Sequence, residues 1–237
     1  MDKTVLVLQN VTRERPGFVF DWLENRDVPY TKVDLNNGEE IPELEEYSAM
    51  IVLGGYDSAN DETAKMQSQI ATIKKWIMQD KPYLGICLGL QVLVKAAGGA
   101  VVPFYDKEIG LKCKNGNLYT LTLTKEGKQD PIFDGLESPL HFFQLHEDTV
   151  ELVEHMKVLA TGDHCSNQAV KIGNSAYGMQ CHFEINEDIF EKWLREHPEL
   201  SKMDAGQLRA EFQEVKDVHI RTGEKLFKNF LKVASVI

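Results

Sequence analysis

Apolar runs of strand length alternate with helical periodicity over the first hundred residues. Residues 4–8, 49–53 and 83–86 are unbroken apolar stretches, the pattern of central parallel strands covered on both faces. Residues 28–34, entered through Pro29, read as a further strand. Between these lie a polar loop over 9–17, a helix over 18–25 and a link over 42–47. An amphipathic helix over 64–79 carries Met66, Ile70, Ile73 and Ile77 on one face. A helix running to about Ala97 follows the strand at 83–86. This order predicts an α/β fold: a doubly wound, mostly parallel sheet flanked by helices, with right-handed crossovers.

After Gly98-Gly99 the pattern changes to short β-type runs over 100–103, 117–123, 140–144, 157–161, 168–172 and 176–181. They predict a small antiparallel addition that returns to the main sheet. Helical patterns over 187–196, 204–213 and 217–233 complete the chain. The expected organisation is one domain over 1–185 and a C-terminal helical extension over 186–237 packed on it.

Charge and composition narrow the partners. The 237 residues carry a formal charge of −11, which argues against nucleic acid or an anionic membrane as partner. The first apolar run is too short for a signal peptide, and no apolar segment approaches membrane-spanning length. Four cysteines, Cys87, Cys113, Cys165 and Cys181, lie far apart, so a reduced, cytoplasmic protein is expected. His164-Cys165 and Cys181-His182 resemble halves of a zinc site. Neighbours on a strand face opposite ways, however, so each dipeptide could offer only one ligand easily. No metal and no cofactor are expected.

Candidate chemistry centres on Gly85-Ile86-Cys87-Leu88-Gly89. Small residues two positions either side of a nucleophile, between a strand and a helix, are the spacing of a nucleophile elbow. A thiol there sits at a helix N-terminus, where unpaired N–H groups and the helix dipole favour the thiolate. A buried structural cysteine is the alternative reading of this motif alone. Gln180-Cys181-His182-Phe183-Glu184 follows the last strand-like run. On an extended segment His182 and Glu184 share a face, which would let the carboxylate orient the imidazole.

Together with Leu53-Gly54-Gly55 and Gln91, these segments resemble the class I glutamine amidotransferase domain, in particular its free-standing, GMP-synthase-like group. The resemblance spans roughly residues 1–185 and implies a flavodoxin-like sheet. It further implies Cys87 as nucleophile with His182 and Glu184 completing a triad. The N–H groups of Gly55 and Leu88 would form an oxyanion hole, and Gly54, Gln91 and His146 would line the substrate pocket. Glu108-Ile109-Gly110 and His141 to His146 resemble further family segments, and Asn167-Gln168-Ala169-Val170 a strand entry. Departures are Phe183 where proline is usual, Leu145 where tryptophan is common and Glu147 where glycine is common. The implied activity is hydrolysis of the glutamine γ-amide, releasing ammonia to an acceptor. The implied partner is a separate synthetase subunit. Alternatives are a γ-glutamyl peptidase or transferase acting on γ-glutamyl conjugates, and a non-catalytic regulatory subunit.

Overall fold

In the computed structural model, which describes residues 3–12 and 17–237, the expected elements follow in order. They are β1 (Thr4–Gln9), α1 (Phe18–Glu24), β2 (Tyr30–Asp34), β3 (Tyr47–Val52), α2 (Ala64–Met78), β4 (Tyr83–Ile86) and α3 (Leu88–Ala96). The second half adds β5 (Ala100–Gly110), β6 (Thr122–Leu123), β7 (Gln144–Glu151), β8 (Met156–Thr161), β9 (Ala169–Ile172) and β10 (Ala176–Met179). Helices α4 (Glu187–Glu196) and α5 (Ala205–Val233) end the chain. The polar loop expected over 9–17 lies in part, at 13–16, outside the described residues, as do Met1 and Asp2 of the N-terminal run.

Eight strands form one sheet in the order β2-β1-β3-β4-β10-β9-β8-β6. The first five run parallel, and β9, β8 and β6 pair antiparallel. Strand alternation explains the unbroken apolar runs. Val5, Val7, Ala49 and Ile51 pack on one face with Phe18, Trp22, Leu226, Phe227 and Phe230 of α1 and α5. Leu6, Leu8, Met50 and Val52 pack on the other with Met66, Ile73 and Trp76 of α2 and Leu90 and Leu93 of α3. A third cluster joins Phe143 and Ile185 to α4 and the start of α5 through Ile189, Phe190, Trp193 and Phe212.

Three expectations are corrected. The strand expected over 140–144 begins where that run ends: β7 starts at Gln144, and Leu140 makes only an isolated bridge with Leu121. Phe142 is a fully buried loop residue and Phe143, equally buried, makes only an isolated bridge with His182, so their apolarity reflects core filling and not a strand. The run at 100–103 extends to Gly110 and pairs with β7 in a separate two-stranded ladder. The two helices expected over 204–213 and 217–233 are one helix of 29 residues. No proline interrupts it, and buried Phe212, His219, Leu226, Phe227 and Phe230 keep helical spacing across the supposed gap.

His219 gives this extension a pH signature. It is 1% exposed, with the rings of Phe142 and Phe212 at 5.5 and 6.0 Å. Burial pushes its imidazole down to about 4 from an ordinary value of 6.5. As pH falls below 6.5 the unfolded chain binds this proton first, so stability is lost until the folded-state value is reached. The loss attributable to this residue is about 3 kcal/mol. His219→Phe is expected to flatten the decline between pH 7 and pH 4 in urea unfolding; an unchanged decline contradicts this assignment.

Candidate active site

Sheet register assembles the site. Val52 pairs with Gly85, Gly85 with Gly178, and Ile86 with Met179, so the C-terminal ends of β3, β4 and β10 lie level, where ligand sites of such sheets occur. Cys87 follows β4 with φ 50°, and its N–H donates to the Met179 carbonyl at 2.8 Å. A positive φ at a non-glycine residue is strained and persists only where surrounding structure enforces it. Enforcement comes from the two glycines. A Cβ on Gly85 would lie 2.4 Å from the Gly89 backbone, and one on Gly89 would lie 2.2 Å from the Val52 carbonyl oxygen. The strand and helix therefore close on each other only because both side chains are absent. Cys87 caps α3 at its N-terminus, leaving the N–H groups of Leu88 and its neighbours without helical acceptors.

His182 and Glu184 come to this thiol by a different route from the one their spacing suggested. β10 ends at Met179, and residues 180–184 form a bend and turn, not a continued strand. Backbone bonds fix the turn: the His182 N–H donates to the Phe143 carbonyl at 2.8 Å, and the Phe18 N–H donates to the Glu184 carbonyl at 3.0 Å. The turn folds Glu184 back so that its Oε1 accepts from His182 Nδ1 at 2.7 Å. That bond leaves Nε2 for the Cys87 thiol. Phe183, 0% exposed, faces the core against Phe18 and Phe142, so replacing the usual proline adds packing while the turn is held by its backbone bonds. Burial pushes the His182 imidazole down, but the Glu184 carboxylate and the Cys87 thiol outweigh it and hold the ring well above its ordinary value.

The remaining expected residues surround this centre. Gly54 lies beside the His182 ring and Cys87 Cβ, and Gly55 beside the Leu88 side chain, which brings Gly55 next to the α3 N-terminus. Gln91 is buried one turn into α3, on the wall of a second cleft shared with Leu145 and Glu147. The Leu145 carbonyl faces Cys87 Sγ at 3.7 Å, and Gln180 Nε2 lies at the same distance from that sulfur.

His146 has a different setting. Its Nδ1 donates to the Asp148 carbonyl at 3.0 Å, and its Nε2 is hydrogen-bonded with Glu108 Oε2 at 2.8 Å. Both nitrogens are engaged, so His146 shapes the second cleft from behind without a free donor for a ligand. Glu108 Oε2 also accepts from Gln168 Nε2 at 2.7 Å, and Glu108 Oε1 from the Cys165 N–H at 3.3 Å. Glu108, His146 and Cys165 thus form a second buried Cys–His–Glu grouping, with ligand atoms within 4.8 Å of one another. The sequence pattern does not join them: they sit on three separate segments, and only Glu108 and His146 are cross-strand partners. Burial pushes the Cys165 thiol up, so this sulfur is held protonated. A metal bound there would have to break the His146–Glu108 bond and displace the Cys165 thiol proton to solvent. Cys181 is likewise fully buried and pushed well up by burial.

The C-terminal part walls the site. Trp193 of α4 lies edge-on to His182, with ring centroids 4.9 Å apart at 90°, and His197 stands between Trp193 and Tyr56. Burial, reinforced by the His182 charge, pushes the His197 imidazole down to about 4. Ile189, Trp193 and His197 line one cleft together with Cys87 and His182. No helix among the described residues is long and apolar enough to cross a membrane.

Comparison with known proteins identifies the family. The family described as "Glutamine amidotransferase class-I" matches residues 19–195. The glutamine amidotransferase-like protein YfeJ of Salmonella typhimurium is 31% identical over 198 residues, covering 81% of this chain and 80% of that protein. A glutamine-hydrolysing GMP synthase subunit of Saccharolobus solfataricus is 28% identical over 188 residues, covering 75% of this chain and 93% of that protein. The crystal structure of a glutamine amidotransferase from Thermotoga maritima superposes with a TM-score of 0.84 at 25% identity, covering 98% of this chain and 99% of that one. The match over most of the chain, together with the fold, places this protein in the class I glutamine amidotransferase family.

Proposed function

We propose that this chain hydrolyses the γ-amide of glutamine through a γ-glutamyl thioester on Cys87. The observation that carries this reading is the elbow thiol at the α3 N-terminus facing an imidazole oriented by Glu184 at 2.7 Å. The Cys87 thiolate attacks the γ-carbonyl carbon while N–H groups at Leu88 and Gly55 receive the oxyanion. The C–N bond breaks as His182 gives its proton to the departing nitrogen, releasing ammonia. His182 then takes a proton from water, which attacks the thioester, and the C–S bond breaks to release glutamate. Glu184 holds the ring with Nε2 toward sulfur and stabilises the imidazolium. The Glu108–His146–Cys165 grouping fits this role less well, because its thiol is kept protonated by burial and its carboxylate is shared with Gln168. Glutamine itself enters between Gly54 and the Gln91 side of the second cleft.

A separate synthetase subunit is the proposed recipient of ammonia, by analogy with the relative that forms one subunit of a GMP synthase. The test is glutamate release from glutamine by wild type and Glu184→Gln. A raised imidazole value keeps His182 protonated until pH climbs through it. Losing the carboxylate lowers that value, so the alkaline limb of the activity profile should move to lower pH. Turnover should fall by about a hundredfold to ten-thousand-fold, from loss of tautomer control and imidazolium stabilisation. An unshifted alkaline limb with unchanged turnover contradicts the assignment of Glu184.

A further inference from the structure

The family match ends at residue 195, yet the residues just beyond it stand over the site. His197 caps the C-terminal end of α4 and is held on both sides by backbone bonds. Its N–H donates to the Trp193 carbonyl at 2.9 Å, and its carbonyl accepts from the Ser201 N–H at 3.0 Å. The ring is fixed as well, because Nδ1 accepts from the Glu199 N–H at 3.2 Å. This imidazole lies against the Tyr56 ring, with centroids 5.2 Å apart at 52°. Tyr56 directly follows Gly54-Gly55, and both rings line both of the clefts that meet at Cys87. On its inner side the glycine loop is held by Asn10. The Asn10 Nδ2 donates to the Leu53 carbonyl at 3.0 Å, its Oδ1 accepts from Gln69 Nε2 at 3.1 Å, and its Cβ would lie 2.7 Å from a Cβ on Gly55. Two successive glycines let such a loop turn about its backbone unless it is held on the outer side too. Tyr56 stands on that side, 49% exposed, so the sheet core does not fix it and His197 is the ring it lies against.

We infer that His197 is a positioning residue for the oxyanion hole: through Tyr56 it fixes the loop whose Gly55 N–H receives the developing oxyanion. This rests on the thioester reading above and gives a role to chain that lies beyond the family match. The end of α4 then serves both halves of the site, with Trp193 against the His182 ring and His197 against the oxyanion loop. The loop is aligned from within the chain, without a second subunit. A donor held in place for the oxyanion stabilises the transition state and not the bound substrate. Loss of the contact therefore slows acylation and leaves glutamine binding nearly unchanged.

The test is the rate at which glutamine forms the Cys87 thioester, trapped by acid quench, in wild type, His197→Ala, Tyr56→Ala and the double variant. Neither side chain is fully buried, so all three variants should fold. Each single substitution should slow acylation about fivefold, the worth of one aromatic contact, with the glutamine concentration for half-maximal rate nearly unchanged. The double variant should be no slower than either single one, since both substitutions remove the same contact. Alkylation of Cys87 by iodoacetamide, a displacement at saturated carbon that builds no oxyanion, should keep its wild-type rate throughout. Acylation at the wild-type rate in the single variants, losses that multiply in the double variant, or alkylation slowed in parallel with acylation overturns the inference and leaves the thioester reading intact. No thioester on wild type defeats both.

Discussion

Replacing Cys87 with alanine is expected to lower glutamine turnover by about ten-thousand-fold or more, because the thioester forms on this sulfur and the remaining machinery acts only around it. The folded state should change little. Cys87 is 6% exposed, and apart from the His182 imidazole its sulfur has long contacts with the Leu145 carbonyl and Gln180 Nε2, each at 3.7 Å. Alanine meets the same strained backbone that cysteine already occupies. Steady-state assay and thermal melting of the same preparation check both halves. Turnover that survives in the variant would place the nucleophile elsewhere.

Gly89→Ala is expected to be severely damaging. Its Cβ would fall 2.2 Å from the Val52 oxygen and 3.0 Å from the Val52 carbonyl carbon. Both atoms belong to β3 in the sheet interior, so neither can move without breaking strand pairing. Overpacking by a single methyl against fixed backbone should cost about 3 kcal/mol or more. The variant should also lose thiol reactivity before it unfolds, since α3 can make room only by backing away from the elbow. Urea unfolding combined with alkylation of Cys87 measures the two effects. Wild-type stability and wild-type alkylation together would mean that the close approach of β3 and α3 does not hold the elbow.

Much of this molecule was legible in the chain because its centre is repetitive and local. Unbroken apolar strands flanked by amphipathic helices have few ways to pack, and the elbow spacing around Cys87 reports on backbone crowding that any fold containing it must satisfy. Where legibility failed, the deciding contacts were non-local. The segment 144–151 alternates polar and apolar residues with many charges, and reads as loop until β5 supplies its partner. His182 and Glu184 meet through a turn pinned by Phe143 and Phe18, neither of which is near in sequence. The Glu108–His146–Cys165 grouping draws on segments up to 57 residues apart, and only the two strand partners could have been guessed together. Trp193 was not singled out by the sequence pattern. Its edge-on contact with His182 becomes visible only once α4 is laid against the site.

The account stands or falls on which cysteine is the nucleophile, and two buried Cys–His–Glu groupings compete for that part. Intact mass after exposure to a glutamine-mimicking electrophile decides between them directly, using wild type, Cys87→Ala and Cys165→Ala. The account predicts a single adduct on wild type and on Cys165→Ala, and none on Cys87→Ala. An adduct that persists on Cys87→Ala, one that disappears on Cys165→Ala, or no adduct on wild type would contradict it.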